Sequence, residues 1–403
     1  VERPFRVLLI SGEYPPMEGG VADFTHLLGK ELVALGAEVH VLTSTRAAPG
    51  GEGGRSAPTA SQSSCGLCCH PLMSSWRWWP LYATVGRLCR ELNPDIVNIQ
   101  YQTAAYGMHP AINFLPWVFR MSRRCAFVVT FHDLLVPYLF PKAGRVRWGV
   151  NLALARACQG VIVTNVQDRE RLSAYPWMPR LELIPIGSNI PCVPPSDYDR
   201  ALWRRRWGVD EDTLLLCYFG FLNASKGGEE LIAALDILWR SGRRTSLLMI
   251  GGTVGASDPT NRAYLEAVKR SIRERGLEER VIWTGYTPPE EVSASFLSAD
   301  ICVLPYRDGT SFRRGSFMAA LAHGMPIVTT WPQGSVPQLR DGENVLLVPP
   351  QDPQALSAAI LRLADDVALR RRLQAGARAL AAEFDWRRIA ARTLEVYHAL
   401  AGR

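Results

Sequence analysis

Ile301-Cys-Val-Leu-Pro-Tyr-Arg-Asp-Gly-Thr-Ser-Phe-Arg-Arg-Gly-Ser316, running on through Phe317-Met-Ala-Ala-Leu-Ala-His-Gly-Met-Pro-Ile-Val-Thr-Thr330, divides into an apolar strand, a loop, a short helix and a second apolar strand. A helix start offers unpaired backbone N–H groups and the positive end of the helix dipole. Arg313, Arg314, Gly315 and Ser316 stand at that start, and the combination suits an anion, a phosphate above others. An ordinary strand–loop–helix with solvated arginines is the competing explanation.

Outward from this stretch, strand and helix patterns alternate along the chain, the signature of parallel sheets wrapped by helices. The first series of strands is expected near Arg6–Ile10, Val39–Thr43, Ile96–Gln100, Ala126–Phe131, Val161–Thr164 and Leu183–Ile186. Val21, Phe24, Leu28, Leu32 and Leu35 recur at helical spacing before Gly36, which predicts a helix over Val21–Leu35. Thr45–Ser64 is too poor in apolar residues to pack and reads as a long mobile loop. A Pro-rich linker near Pro185–Pro195 precedes the second series: Leu214–Phe219, Leu247–Ile250, Val281–Thr284, Ile301–Leu304, Ile327–Thr330 and Val345–Val348. Helices are expected at Pro353–Leu363, Asp366–Glu383 and Trp386–Leu400. The α/β chain is thus expected as two Rossmann-like domains, 1–192 and 193–385, followed by a last helix over 386–403. Their parallel sheets would face a central cleft, with ligands at the carboxyl ends of the strands.

Composition narrows the class. At 403 residues, 47% hydrophobic and 21% charged, the chain fits a soluble globular protein of two or three domains. No apolar run approaches the roughly 20 residues a membrane span needs. Val1 to Ile10 reads as a first strand without a signal-cleavage pattern, so a cytoplasmic location is expected. The net charge is +7, and residues 1–192 carry 18 Lys+Arg against 13 Asp+Glu. Arg77-Trp-Trp79 and Trp117-Val-Phe-Arg-Met-Ser-Arg-Arg124 suit peripheral contact with an anionic membrane, at the inner face for a cytoplasmic protein. A solvated charged face over apolar core residues explains them as well. No basic-aromatic motif of a nucleic-acid-binding module is present. Nine cysteines, mostly within apolar strands, fit reduced, buried thiols. Cys65-Gly-Leu-Cys-Cys-His70 offers four potential ligands, Cys65, Cys68, Cys69 and His70, yet no second Cys/His pair follows at zinc-finger spacing. It reads as a loop, and no metal site is expected.

The loops after the strands carry the chemistry. Gly12-Glu-Tyr-Pro-Pro-Met-Glu-Gly-Gly-Val-Ala22 leads from the first strand into a helix, and Gly19 and Gly20 permit close backbone approach at its start. The spacing is neither G-x-G-x-x-G nor a Walker A loop. Gly220-Phe-Leu-Asn-Ala-Ser-Lys-Gly-Gly228 follows the first strand of the second series, and Lys226 can neutralise a phosphate there. Three anion-friendly helix starts point to a diphosphate ligand. His132-Asp133 follows the strand Phe127–Phe131, where a His can exchange hydrogen bonds with a substrate hydroxyl or serve as a cap.

With these residues in view, the chain resembles the family-4 retaining glycosyltransferases of the GT-B fold. The matches are Tyr14–Ala22, His132-Asp133, Ile184-Pro-Ile-Gly-Ser188, Phe219–Gly227, Thr284-Gly285-Tyr286, Ala322–Val328, Arg340–Pro349 and Phe384-Asp-Trp386. The resemblance implies transfer of a sugar from a nucleotide-diphosphate-sugar donor to a glycan or lipid-linked acceptor, as in polysaccharide biosynthesis, without a cofactor or metal. It implies that Gly19 and Gly20 face the donor diphosphate and sugar, with His132 beside the sugar and the acceptor hydroxyl. Lys226 would contact the diphosphate, Thr284, Gly285 and Tyr286 would hold the base, and Glu343 and Asn344 would lie near ribose and phosphates. It also implies that the last helix returns to the first domain.

Two positions depart from the family pattern. The glutamates of its E-x7-E segment are replaced by Ser311 and Ala319, and the arginine of its Gly-Arg-Leu-x-x-x-Lys-Gly stretch is Phe221. Arg313 and Arg314 can restore the positive charge, forming a phosphate cradle with Ser311 and the Gly315–Ser316 backbone. His132 and Ser311 are the candidate catalytic residues. A non-catalytic nucleotide-sugar or glycan binder of the same fold, and a nucleotide-sugar epimerase, stay open as alternatives.

Overall fold

Aliphatic runs with no exposed residue build the centre of each sheet in the computed structural model, which describes residues 3–17, 19–48, 66–119, 125–134, 144–252 and 259–402. These residues form two compact units, Val1–Asn189 with Phe384–Arg403, and Ile190–Glu383.

The first unit begins with β1 (Arg6–Ser11), α1 (Gly20–Ala34), β2 (Glu38–Ser44), β3 (Leu67–Met73), α2 (Trp78–Leu92) and β4 (Ile96–Tyr101). It continues with α3 (Ala111–Phe119), β5 (Ala126–Phe131), α4 (Gly144–Ala157), β6 (Gly160–Val163), α5 (Val166–Ser173) and β7 (Arg180–Leu183). Every neighbouring pair is parallel, in the order β3-β2-β1-β4-β5-β6-β7. All six residues of β4 are buried, as a central strand covered on both faces requires. The strand order reverses between β1 and β4, so the loops leaving those two strands diverge and open a crevice.

The second unit comprises α6 (Arg200–Arg206), β8 (Leu214–Phe219), α7 (Gly228–Arg240), β9 (Thr245–Ile250), α8 (Pro259–Glu274), β10 (Val281–Gly285), α9 (Pro289–Ser298) and β11 (Ile301–Leu304). After these come α10 (Gly315–Ala322), β12 (Ile327–Thr330), β13 (Leu346–Val348), α11 (Pro353–Asp365) and α12 (Val367–Ala381). Its parallel sheet runs β10-β9-β8-β11-β12-β13, with the reversal between β8 and β11.

The last helix, α13 (Trp386–Ala401), belongs to the first unit and packs on α1. Asp385 caps it by accepting from the Arg388 N–H at 3.1 Å. Ile389, Ala390, Thr393, Val396 and Tyr397 form its buried stripe, and Asn98 Nδ2 on β4 donates to the Tyr397 hydroxyl at 2.5 Å. The Trp386 indole donates to Ser188 O at 2.7 Å, and a Cβ at Gly187 would stand 2.7 Å from that indole. Only glycine allows this approach.

Two expectations need correction. Cys68, Cys69 and His70 lie on β3, an edge strand, rather than in a loop, while Cys65 is outside the described residues. An edge position tolerates Pro71 and half-exposed side chains, which is why the stretch lacks a strand signature. The seventh strand of the first unit lies three residues earlier than Leu183–Ile186 suggests, because its ladder with β6 runs from Arg180 to Leu183. Most of the expected loop over Thr45–Ser64 lies outside the described residues, and Thr45–Ala47 form a 3-10 turn.

Candidate functional site

In the second unit, the loops leaving β8 and β11 flank the reversal point and bring a cluster of cations and hydroxyls together. Gly227, with φ at +72°, turns the chain into α7, and a Cβ there would lie 1.8 Å from Pro305 O. That glycine lets the β8 loop lie against the β11 loop and carries Lys226 with it. Lys226 Nζ donates to Ser316 Oγ at 3.4 Å, and Ser316 Oγ lies 2.6 Å from the Tyr306 hydroxyl. Arg314 at the start of α10 stacks its guanidinium 4.7 Å from the Tyr306 ring centroid. It donates to Ser225 Oγ at 3.3 Å and pairs with Asp308.

Two cations in one partly enclosed place raise each other's cost. Burial, then the Arg314 charge, lowers the Lys226 pKa to about 8, with Asp308 opposing the shift. The sequence reading includes Lys226, Arg314, Gly315 and Ser316 but misses Tyr306, Asp308 and Ser225. A buried Tyr after a strand carries no sequence signal for a role as a cation platform.

The other expected positions in this unit divide. Ser311 is half-buried, and its carbonyl accepts from the Arg314 N–H at 3.1 Å. Arg313 is exposed where Arg314 is half-buried. Ala319 is fully buried within α10. Phe221 lies over the end of β9, where a Cβ at Gly252 would stand 2.9 Å from its ring. Thr284 spends its hydroxyl on the backbone, accepting from Gly251 N–H at 3.0 Å and donating to Gly285 O at 2.9 Å. Gly285 has φ at +68° and turns the chain at the carboxyl end of β10, leaving Tyr286 exposed.

Glu343 and Asn344 lie elsewhere. They immediately precede β13, hence at the amino edge of a parallel sheet whose carboxyl edge carries Lys226. Buried Asn344 braces its own loop, accepting from Arg340 N–H at 2.9 Å and donating to Gln338 O at 2.8 Å. Glu343 pairs with Arg340 at 3.1 Å. Both line a separate open groove of about 820 Å³ with Arg362 and Arg372. The expectation that they join Lys226 at ribose and phosphates fails on strand direction.

In the first unit, His132 follows β5 and is buried. Its backbone N–H donates to Tyr101 O at 3.0 Å, and its Nε2 lies 2.9 Å from Gln100 Oε1. Phe24 of α1 meets the imidazole edge-on at 4.6 Å. Gly19 and Gly20 open α1, and space around Gly20 is clear. Against Gly19 lies a residue the sequence reading passes over. Glu13 Oε2 stands 2.2 Å from where a Gly19 Cβ would be, and burial raises the Glu13 pKa, with Arg46 opposing. A half-buried carboxylate at a strand's carboxyl end is a common form of functional group.

Comparisons with known proteins agree with this architecture. The family profile described as Glycosyl transferases group 1 matches residues 199–380, and the Glycosyl transferase 4-like domain matches 19–187. D-inositol 3-phosphate glycosyltransferase of Acidothermus cellulolyticus is 31% identical over 272 residues, covering 65% of this chain and 58% of that protein. GDP-mannose-dependent alpha-(1-6)-phosphatidylinositol monomannoside mannosyltransferase of Mycolicibacterium smegmatis is 26% identical over 88% of each chain. Anabaena HepE, solved in complex with UDP, shares the fold with a TM-score of 0.73 at 19% identity, covering 98% of this chain and 100% of that one.

Proposed function

This chain belongs to the glycosyltransferases of group 1, with the two Rossmann-like domains of the GT-B fold, and we propose that it moves a sugar from a nucleotide-diphosphate donor to a hydroxyl of a glycan or lipid-linked acceptor, with retention at the anomeric carbon. The cluster of Lys226, Arg314, Ser316 and Tyr306 at the β8–β11 reversal carries this reading. It suits the donor diphosphate. As the bond from the anomeric carbon to the phosphate oxygen breaks, negative charge grows on the departing diphosphate. Lys226, Arg314 and the N–H groups opening α10 are fixed in place to stabilise it. The acceptor oxygen bonds to the anomeric carbon and passes its proton to the departing diphosphate oxygen. These groups supply positive charge without a metal or an organic cofactor.

Arg314 takes the place of the arginine that the family carries where Phe221 stands, reaching the same loop from α10. Ser311 and Arg313 are assigned to the rim of this cradle, and Gly285–Tyr286 to the base. In the first unit, His132, held by Gln100, is read as a partner of the sugar and acceptor hydroxyls, and the Gly19–Gly20 turn as a point of close approach. The named binding of UDP by Anabaena HepE supports a nucleotide sugar as donor.

Incubation with UDP-glucose and, separately, GDP-mannose tests the reading, with NMR following the released nucleotide and the anomer of the sugar product. Slow release of nucleoside diphosphate that vanishes in Lys226→Ala supports it. UDP binding without release over days would mark a protein that kept a donor site and lost turnover, as the carboxylate-free loop at Ser311 and Ala319 permits.

A further inference from the structure

In the second unit, one residue of the loop after β11 ties that loop to the start of α7, beside the cation cluster. Arg307 donates from Nε to Glu230 Oε1 at 2.8 Å and from Nη2 to Glu229 Oε2 at 2.5 Å. Its backbone N–H donates to Ser225 O at 2.9 Å. Three bonds thus run from a single residue of one loop to the stretch 225–230 that opens α7. Glu230 is 8% exposed and its Oε2 has no hydrogen-bond partner, so Arg307 is the only hydrogen-bond partner of a nearly buried carboxylate. A planar fork shared by two carboxylates permits fewer arrangements than a single point contact. Both acids lie in the first turn of α7, where the helix dipole favours them, and the Glu229 N–H donates to the Tyr264 hydroxyl at 3.2 Å. The chain's own groups fill that helix start.

Each residue that Arg307 fixes leads into the cluster. Asp308, its successor, pairs with Arg314. Ser225, whose carbonyl it holds, takes a hydrogen bond from Arg314 on its Oγ at 3.3 Å and precedes Lys226. We propose that Arg307 is a positioning residue: its clasp on α7 sets the spacing of Lys226, Arg314 and Asp308, so that the cations meet an incoming diphosphate in one arrangement. This role rests on the donor-site reading above and adds the residue that holds the geometry of that site. A misplacement of about 1 Å among groups that must act together can cost about a hundredfold. A second clasp on the same helix provides the contrast. Arg240 and Arg275 hold buried Asp236 at 2.8 and 2.9 Å, farther along α7.

Calorimetric titration of UDP, GDP and ADP into the wild type, Arg307→Lys, Arg307→Ala and Arg275→Ala tests the role, with a melting temperature for each. Arg307→Lys keeps the charge and loses the fork, and is expected to weaken the nucleotide that the wild type binds by about tenfold. Arg307→Ala is expected to weaken it further. Arg275→Ala breaks an ion pair of the same helix and is expected to lower the melting temperature with affinity unchanged. The pH profile supplies a readout that lost stability alone does not move. Burial, then the Arg314 charge, holds the Lys226 pKa at about 8, with Asp308 opposing. A loosened loop relieves the burial and the Arg314 repulsion, so the pH at which affinity falls is expected to rise above about 8 in both Arg307 variants. Arg307→Lys carries the test alone if the stranded Glu230 carboxylate unfolds Arg307→Ala. Unchanged affinity or an unmoved pH profile in the Arg307 variants overturns this role alone. So does an affinity loss in Arg275→Ala as large as that in Arg307→Lys. A wild type that binds none of the three nucleotides removes the donor-site reading, and this role with it.

Discussion

Arg314 lies with its guanidinium carbon 4.7 Å from the centroid of the Tyr306 ring, a cation seated on a buried aromatic platform rather than waving in solvent. The platform and the Asp308 ion pair fix the charge beside Lys226 before any ligand arrives. Preorganised charge of this kind is worth more than the same charge on a mobile side chain.

Arg314→Ala is therefore expected to weaken binding of UDP or another cognate nucleoside diphosphate by about ten- to a hundredfold, the range for one charge-assisted hydrogen bond partner. Arg313→Ala, at the exposed neighbouring position, is expected to change it by no more than about threefold. Calorimetry on both variants checks the contrast, and equal losses would remove the special role of the Tyr306 platform.

Lys226 gives the site a pH dependence with a definite sign. Burial, then the Arg314 charge, lowers its pKa to about 8 from the ordinary 10.5. The ammonium is present below about pH 8 and lost above it, so diphosphate affinity is expected to fall as pH rises through that value. Stability runs the other way: the unfolded chain holds this proton more tightly, so the Lys226 contribution to stability rises with pH from about 8 toward 10.5. Lys226→Met should flatten both trends, measured by titration calorimetry and by melting at a series of pH values.

The elements holding this cluster were legible, because Ile301–Leu304 and Ile327–Thr330 are short runs rich in β-branched residues, and both are buried throughout, as strands covered on both faces are. The seating of Arg314 was not. It depends on the path of the loop over Gly309, which brings Asp308 and Tyr306 under one side chain. Glu343 and Asn344 were misplaced for a different reason: motif position says nothing about which sheet edge a loop occupies, and strand direction decides it. Cys68–His70 escaped detection because an edge strand can break alternation without penalty.

Gly227→Ala tests how the loop is held. The added methyl would meet Pro305 O at 1.8 Å in a backbone conformation with φ at +72°. The expected cost is about 2 kcal/mol or more, a fall in melting temperature of several degrees for a unit of this size, together with weaker nucleotide binding. A variant that melts with the wild type would mean that the loop path is not imposed by this contact.

Glu13 carries a raised pKa, so its ionised form costs the folded state stability that is intact below about pH 4.5 and lost as pH rises through the folded value. Glu13→Gln removes that cost and is expected to raise the melting temperature at pH 7. Lower stability at pH 7 would show instead that the carboxylate supports the fold through Arg46.

The most direct measurement of the central claim is calorimetric titration of UDP, GDP and ADP into the wild-type chain and into Lys226→Ala with Arg314→Ala. The expected result is saturable one-to-one binding of one of the three by the wild type, abolished in the double variant while its fold persists. Absence of binding by the wild type, or binding that survives loss of both cations, would contradict the assignment of this cluster to the donor diphosphate.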